Sequence, residues 1–484
     1  MKRVILINSI TWLCLIIWQP LFSQTTWHYQ YQQLSHQYYT KTIDSLKKAW
    51  ICPSVFPEKE PQKLFKETFD SRTAFLTSAL NARAYLYDAQ IISYLEGIIA
   101  ELKKSTPELY EGKPLILIDR SAAVNAYAMG DGIVSVNLGL LNFVQSREEL
   151  ALILAHELAH NSMKHSFNAM YARAEWFASD KYKNLVKSVL DSEYERYTRL
   201  KKIVENVKFD RTRHQRYNEK EADSLAVAVI KKAKFAFYPS FFLRLDSADL
   251  VYRTPLSKPI AQYFNALGVG FDSSWTKSKS RGLSVKAYNF SENKAIQDSL
   301  KTHPDCIERY NVYKEQANPG KLNPIPAEMK DKVVRGLIWN MFDDRRITAC
   351  IYRTLLEKDK GKLDPWYDFM LFNSLAMLYS MDQKLERFLG IAVKPKEFIS
   401  EDYFKLQTAL EQIPREQLKD LAKNIYNEPF RSRLSPEEGA LMALINTLAL
   451  TDEVDEKEKA LALKKFNQDY PNSMYREFSE FFKK

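Results

Sequence analysis

The chain has 484 residues, 45% of them apolar and only 13 of them glycine, so it can bury large cores in two or three units and should be mainly helical. Its net charge is +10, but lysines and glutamates alternate along most of it, and no basic run carries the aromatic spacing of a nucleic-acid module. The four cysteines, Cys14, Cys52, Cys306 and Cys350, form no C-x-x-C pair, which sets aside a cysteine zinc site and leaves one unspecified disulfide open.

Residues 1–23 place Lys2 and Arg3 before an apolar stretch that ends at Pro20 and Ser23. That is the pattern of a secretory signal peptide, and it predicts an exported protein of the periplasm or cell envelope, soluble or peripherally membrane-associated. No later segment reaches about 18 uninterrupted apolar residues. From 24 to 110 we expect an N-terminal helical region. Its start is rich in Gln and aromatic residues, with His28 and His36 read as surface histidines, and residues 64–104 carry apolar positions at helical spacing.

The character changes at 114. PLILIDR reads as a short buried strand and GIVSVN, by its alternation, as an edge strand. Between them the glycines of NAYAMGDG predict a tight turn or a close backbone approach. A strand at this point could pair with an extended peptide, so Asn125, Ala126 and Tyr127 are candidate substrate-binding residues.

The run LALILAHELAHNSMKH follows Ser146 and Glu149, the spacing of a capping box, and predicts a buried helix. On it His156 and His160 stand at i and i+4, one turn apart on one face, so both imidazoles can reach a single ion. Glu157 can reach a water on that ion. This is the H-E-x-x-H arrangement of zinc metallopeptidases, with the carboxylate as general base. His165, at i+5 from His160, falls off that face and is read as structural. After a long charged stretch comes Tyr217-Asn218-Glu219-Lys220-Glu221-Ala222-Asp223. Glu219 and Asp223 share a face, whereas Glu221 points away. Glu219 is the expected third metal ligand, completing a His2Glu set with a position open to water, for one Zn2+ per chain. Asp223 is expected to hold the outer ring nitrogen of a ligand histidine.

These elements, followed by Thr302-His303-Pro304 and Arg309, resemble the gluzincin metallopeptidase family of the CAAX prenyl proteases, HtpX and the periplasmic protease BepA. The resemblance covers roughly 114–310 and implies a zincin-type α+β catalytic domain with a small β-sheet. It implies His156, His160 and Glu219 as zinc ligands, Glu157 as base and Asp223 as orienting carboxylate. His303 inherits a catalytic role near the metal or the oxyanion. Integral family members have several membrane helices, so this chain looks like the soluble exported branch.

The resulting organisation is a signal peptide (1–23), an N-terminal helical region (24–110), a zinc metallopeptidase domain (111–314) and a helical C-terminal domain (315–484), open to a tetratricopeptide-like or a plain bundle reading. The irregular connection 239–300 is a candidate lid. The expected activity is endopeptidase cleavage of exported or misfolded envelope proteins, with no nucleic-acid partner; the oligomeric state is undetermined. The rival is a latent-site chaperone or scaffold that binds clients through its helical half.

Overall fold

The computed structural model describes residues 33–82, 84–191, 216–246, 252–277, 306–452, 454–473 and 475–482. The leader, His28 and the Thr302-His303-Pro304 element lie outside the described residues. What is described is mainly helical, with a single four-stranded mixed sheet among these residues.

Helices α1 (Gln33–Ala49) and α2 (Lys59–Asn81) lead to strand β1 (Tyr85–Leu86) and helix α3 (Ala89–Ser105). The helical spacing read over 64–104 is therefore split. The Asp88 carboxylate accepts from the N–H groups of Gln90 and Ile91, both at 3.0 Å, and starts α3 only at Ala89. The buried stripe Ile91, Leu95, Ile98, Ile99 and Leu102 then faces the sheet core.

Strands β2 (Leu115–Asp119), β3 (Ala126–Gly130) and β4 (Ile133–Asn137) complete a sheet of order β1-β2-β4-β3. β2 and β4 are parallel, and the two outer pairings are antiparallel. Here the structure corrects the sequence reading. GIVSVN forms the inner strand β4, buried at all five positions, and the edge strand beside it is β3, from the segment read as a turn. Alternation misled because Ser135 and Asn137, the polar positions of β4, are buried as well. The tight turn is real but shorter: Gly130, Asp131 and Gly132 all have positive φ. At Gly132 a Cβ would fall 2.1 Å from the Tyr110 hydroxyl.

Helix α4 (Leu138–Phe143) leads into α5 (Arg147–Ser162), the helix of the histidine pair, followed by α6 (His165–Ala178), α7 (Asp180–Leu190) and α8 (216–232). The Ser146 hydroxyl caps α5 by accepting from Glu149 N–H at 3.2 Å. The reciprocal half of the expected capping box is displaced, since the Glu149 carboxylate accepts from Gln145 N–H at 2.6 Å rather than from Ser146. α5 is buried on nearly every side, as its apolar run predicts.

Helices α9 (Ser240–Leu245), α10 (Ile260–Ala266) and α11 (Cys306–Tyr313) connect to the C-terminal half. That half comprises α12 (Ala327–Asp343), α13 (Ile347–Asp359), α14 (Pro365–Gln383), α15 (Arg387–Ile391), α16 (Glu401–Gln412), α17 (Arg415–Asn427), α18 (Pro436–Ile445), α19 (Glu456–Asp469) and α20 (Arg476–Phe481). α14 is buried from Trp366 to Met381 but for Asp368 and touches α13, α15, α17 and α18. The helices thus wrap a central rod, whereas in a linear array each unit meets only its neighbours. Of the candidate lid, the described part 252–277 belongs to this half. Leu256, Ile260, Phe264, Val269 and Trp275 sit in its core, and Ser400 N–H donates to the Tyr252 carbonyl at 2.8 Å. Among the described residues of that connection, α9 lies against the sheet half, with Phe241 and Phe242 in its core.

α12 joins the two cores. Met329, Val333 and Leu337 face the sheet side, while Val334, Ile338, Trp339 and Phe342 face the helical side. At its start the Lys330 ammonium donates to the carbonyls of Leu141 and Asn142, at 2.8 and 2.7 Å, and to that of Val144. These are the carbonyls that the end of α4 leaves without helical partners. Lys330→Met keeps the stem and removes the charge, and should cost about 1.5–3 kcal/mol of stability. Urea unfolding measures it, and an unchanged midpoint would show that the junction does not depend on this ammonium.

Candidate metal centre and active site

The site is built where α5 meets α8. Each helix contributes two side chains one turn apart, His156 and His160 from α5 and Glu219 and Asp223 from α8. His156 Nε2 lies 3.1 Å from His160 Nε2 and 3.4 Å from Glu219 Oε2, and His160 Nε2 lies 3.3 Å from Glu219 Oε1. Corners of a tetrahedron around zinc, with bonds of roughly 2.0–2.2 Å, are about 3.3–3.6 Å apart. The two imidazole nitrogens and the two Glu219 oxygens therefore converge within a few tenths of an ångström of the spacing that a tetrahedral metal would require.

The chemistry of the donors points the same way. His156 Nδ1 is 2.9 Å from Asp223 Oδ1, which fixes the proton on Nδ1 and the lone pair on Nε2. His160 Nδ1 is 2.8 Å from His165 Nδ1, a favourable contact only with a proton between them. With that proton on His160, its Nε2 also presents a lone pair. Two lone pairs and a carboxylate then converge at repulsive distances unless a cation sits among them. Burial opposes protonation of His156, but hydrogen bonds to Asp223 and Glu219 outweigh it and raise the ring's pKa to about 10. That is the negative field a divalent cation would neutralise. His156, His160 and Glu219 could hold one metal ion.

Asp223 is itself held. Arg309 on α11 forks onto it, Nε to Oδ2 at 2.8 Å and Nη2 to Oδ1 at 2.5 Å, with its guanidinium 4.4 Å over the Phe242 ring. Burial alone would raise the Asp223 pKa, and the charges of Arg309 and His156 lower it below its ordinary value. On the other side, His165 lies off the metal triangle, as its i+5 spacing predicts, yet it orients His160. Its Nε2 is 3.5 Å from Glu221 Oε2, so the residue that points away from the metal backs a ligand histidine through its neighbour. Burial, and then the charge of His160, depress the pKa of His165. The sequence reading took His165 as structural, met Arg309 only as part of the family resemblance and gave Glu221 no role. Their signal was faint: an arginine five residues past a His-Pro pair, and a His-Glu pair that only folding brings together.

Glu157 is buried beside His156 in a narrow cleft of about 60 Å³, lined also by Asn125, Ala126, Phe241, Phe242 and Leu245. Asn125 and Ala126 thus flank the base. Tyr127 does not reach the cleft: its hydroxyl donates to Asp119 at 3.0 Å on the other side of β3. His303 falls outside the described residues. Asn161 ties the hairpin to the helix, accepting from Gly132 N–H at 3.2 Å and donating to the Glu157 carbonyl at 3.3 Å.

This cluster has the donor set of a metal centre. Residues 86–317, just under half of the chain, match the family model described as Peptidase family M48. The matched segment begins at the end of β1 and takes in α3. The chain is also similar to the "Putative beta-barrel assembly-enhancing protease" of Vibrio cholerae serotype O1, 27% identical over 177 residues. The alignment covers 36% of this chain and 36% of that protein, so the similarity spans about a third of the relative's length. No helix among the described residues is long and apolar enough to cross a membrane.

If Asp223 orients His156 for a metal, Asp223→Asn should weaken metal binding about 10–100-fold. Competition with a chromogenic chelator measures this, and unaltered affinity would reduce the Asp223–Arg309 pair to a structural contact.

Proposed function

We propose that this protein is a zinc endopeptidase of the cell envelope, holding one zinc ion through His156, His160 and Glu219 and using Glu157 as general base. The observation that carries the reading is the His2Glu triangle of zinc dimensions beside a buried glutamate in a cleft flanked by an edge strand. A His2Glu set with an open position suits zinc best among the common metals. When bound, zinc would supply polarisation of the scissile carbonyl and a water acidified to a pKa of about 7.

The remaining steps fall to the chain. An extended peptide adds to the outer edge of β3, which pairs with β4 on its other side and whose first residue, Ala126, lines the cleft. Phe241, Phe242 and Leu245 offer an apolar wall for a side chain next to the cleaved bond. Glu157 accepts the proton of the attacking water and returns it to the departing amine. Asp223, with Arg309 behind it, and His165, with Glu221 behind it, keep the two imidazoles in the tautomers that direct Nε2 inward. The leader pattern, together with the assembly-related name of the Vibrio relative, supports exported or misfolded envelope proteins as substrates and the periplasm as the compartment. In this reading residues 111–314 carry the chemistry and 315–484 form a client-facing helical domain.

Replacing Glu157 by Gln should leave zinc content unchanged and lower casein hydrolysis by about 10²–10⁴-fold. Full activity in the zinc-loaded variant would remove Glu157 from the mechanism. Chelation of the wild-type protein should abolish cleavage and readdition of zinc restore it; chelator-resistant cleavage would point to another peptidase chemistry.

A further inference from the structure

A second cavity, about 580 Å³, opens where the loop after β2 meets the C-terminal half. Val124 lines both this cavity and the cleft that holds His156 and Glu157, so the two adjoin at the N-terminal end of β3. The far wall is cationic and comes from the helical domain, from Arg346 before α13 and Lys394 after α15.

The charges in this cavity are unequally satisfied. Asp119 accepts from Ser121 N–H at 2.7 Å and from the Tyr127 hydroxyl at 3.0 Å. Arg120 is paired with Asp343 at 2.5 Å and with Asn340 Oδ1 at 3.1 Å. Asp344 is taken by Arg346 Nη2 at 2.9 Å. Arg346 Nε, however, is buried without a hydrogen-bond partner. Among the described residues no carboxylate pairs with the Lys394 ammonium, which sits 4.6 Å over the Tyr252 ring. Burial, and then the neighbouring Arg346 charge, lower the Lys394 pKa. Two cations are thus held together at the edge of a cavity whose carboxylates, Asp119 and Asp344, are already engaged, a setting that favours an anion.

The edge strand says which anion. Antiparallel addition is the stronger pairing per residue, and it would run a peptide's C-terminal portion past Asn125 and Val124 toward this cavity. At about 3.4 Å per residue, the distance from Ala126 to Ala122 spans three or four peptide residues. We propose that Arg346 and Lys394 form a subsite that recognises a peptide carboxylate, from an Asp or Glu side chain or from the chain's C-terminus, about three or four residues downstream of the cleaved bond. This rests on the peptidase reading and on β3 as the substrate strand. The subsite gives the helical half a direct part in substrate choice. Its cations contact the substrate far from the reacting bond and take no part in the chemistry.

The test uses full-length protein and fluorescent peptides of one sequence that differ only in the placement of a carboxylate. One arm carries Asp three or four residues downstream, and its control carries Asn. Another carries Asp at the matching upstream distance, and a third compares a free with an amidated C-terminus at the downstream position. Wild type should cleave the downstream-acidic peptide with a kcat/KM on the order of tenfold above the Asn control. The upstream Asp should have little effect, and the amide comparison separates side-chain from terminal recognition. Arg346→Gln/Lys394→Met should erase the preference while leaving the Asn peptide's rate unchanged. Lys394→Glu should turn the preference toward a downstream Lys, an outcome that misfolding does not produce. Equal rates for all peptides, or equal gains from upstream and downstream Asp, would overturn the subsite and leave the peptidase reading intact. If no peptide is cleaved, the peptidase reading fails, and anisotropy of the same peptides on Glu157→Gln protein decides the subsite separately. Downstream-selective binding lost in Arg346→Gln/Lys394→Met upholds it, and indifferent binding rejects it.

Discussion

The contact between His156 and Asp223, 2.9 Å between ring nitrogen and carboxylate, locks α5 to α8 at the one rotational setting that makes a metal site. Each helix presents its two functional residues at i and i+4, so the pairs meet only when both faces turn inward together. A slip of one residue in α8 would rotate it by about 100° and replace Glu219 with Lys220. Much of the surrounding structure resists such a slip. Ser146 fixes the start of α5, and Glu148 within its first turn accepts from both the backbone and the side chain of Asn323. Asn161 fastens the other end to the hairpin, and Arg309 clamps Asp223 from α11.

The cleft draws on parts of the chain that are far apart in sequence. β3 supplies its edge, α5 its floor, and α9 an aromatic wall of Phe241 and Phe242 that also supports the Arg309 guanidinium. One side chain therefore shapes both the space beside Glu157 and the charge balance behind His156. Such sharing couples what the cleft admits to how the metal ligands are held.

The sequence was most readable where chemistry imposes spacing. H-E-x-x-H and E-x-x-x-D are local, and the turn length of a helix is enough to place His156, His160, Glu219 and Asp223 on inward faces. It was less readable where polar residues are buried by partners remote in sequence. β4 looked like an edge because Ser135 and Asn137 alternate with valines, yet both are covered. The true edge, β3, was hidden by the glycines at its end, which mark the turn rather than the segment. His165 and Glu221 acquire a role only because α6 and α8 bring them together. The irregular connection 239–300 suggested a lid, but in its described part 252–277 the aromatic residues are long-range core contacts of the helical half. Spacing along a chain carries no information about such partners.

Helix α12 has both of its long faces occupied, one by the core beneath the sheet and the other by the core around α14. It is a party wall, and neither room can be demolished without opening the other. The family match ends at 317, ten residues before this wall begins, so the stretch recognised by similarity is shorter than the stretch that must fold with it. Heat or denaturant should find one cooperative object here, and evolution cannot exchange the helical half as a cassette without rebuilding the floor of the catalytic one.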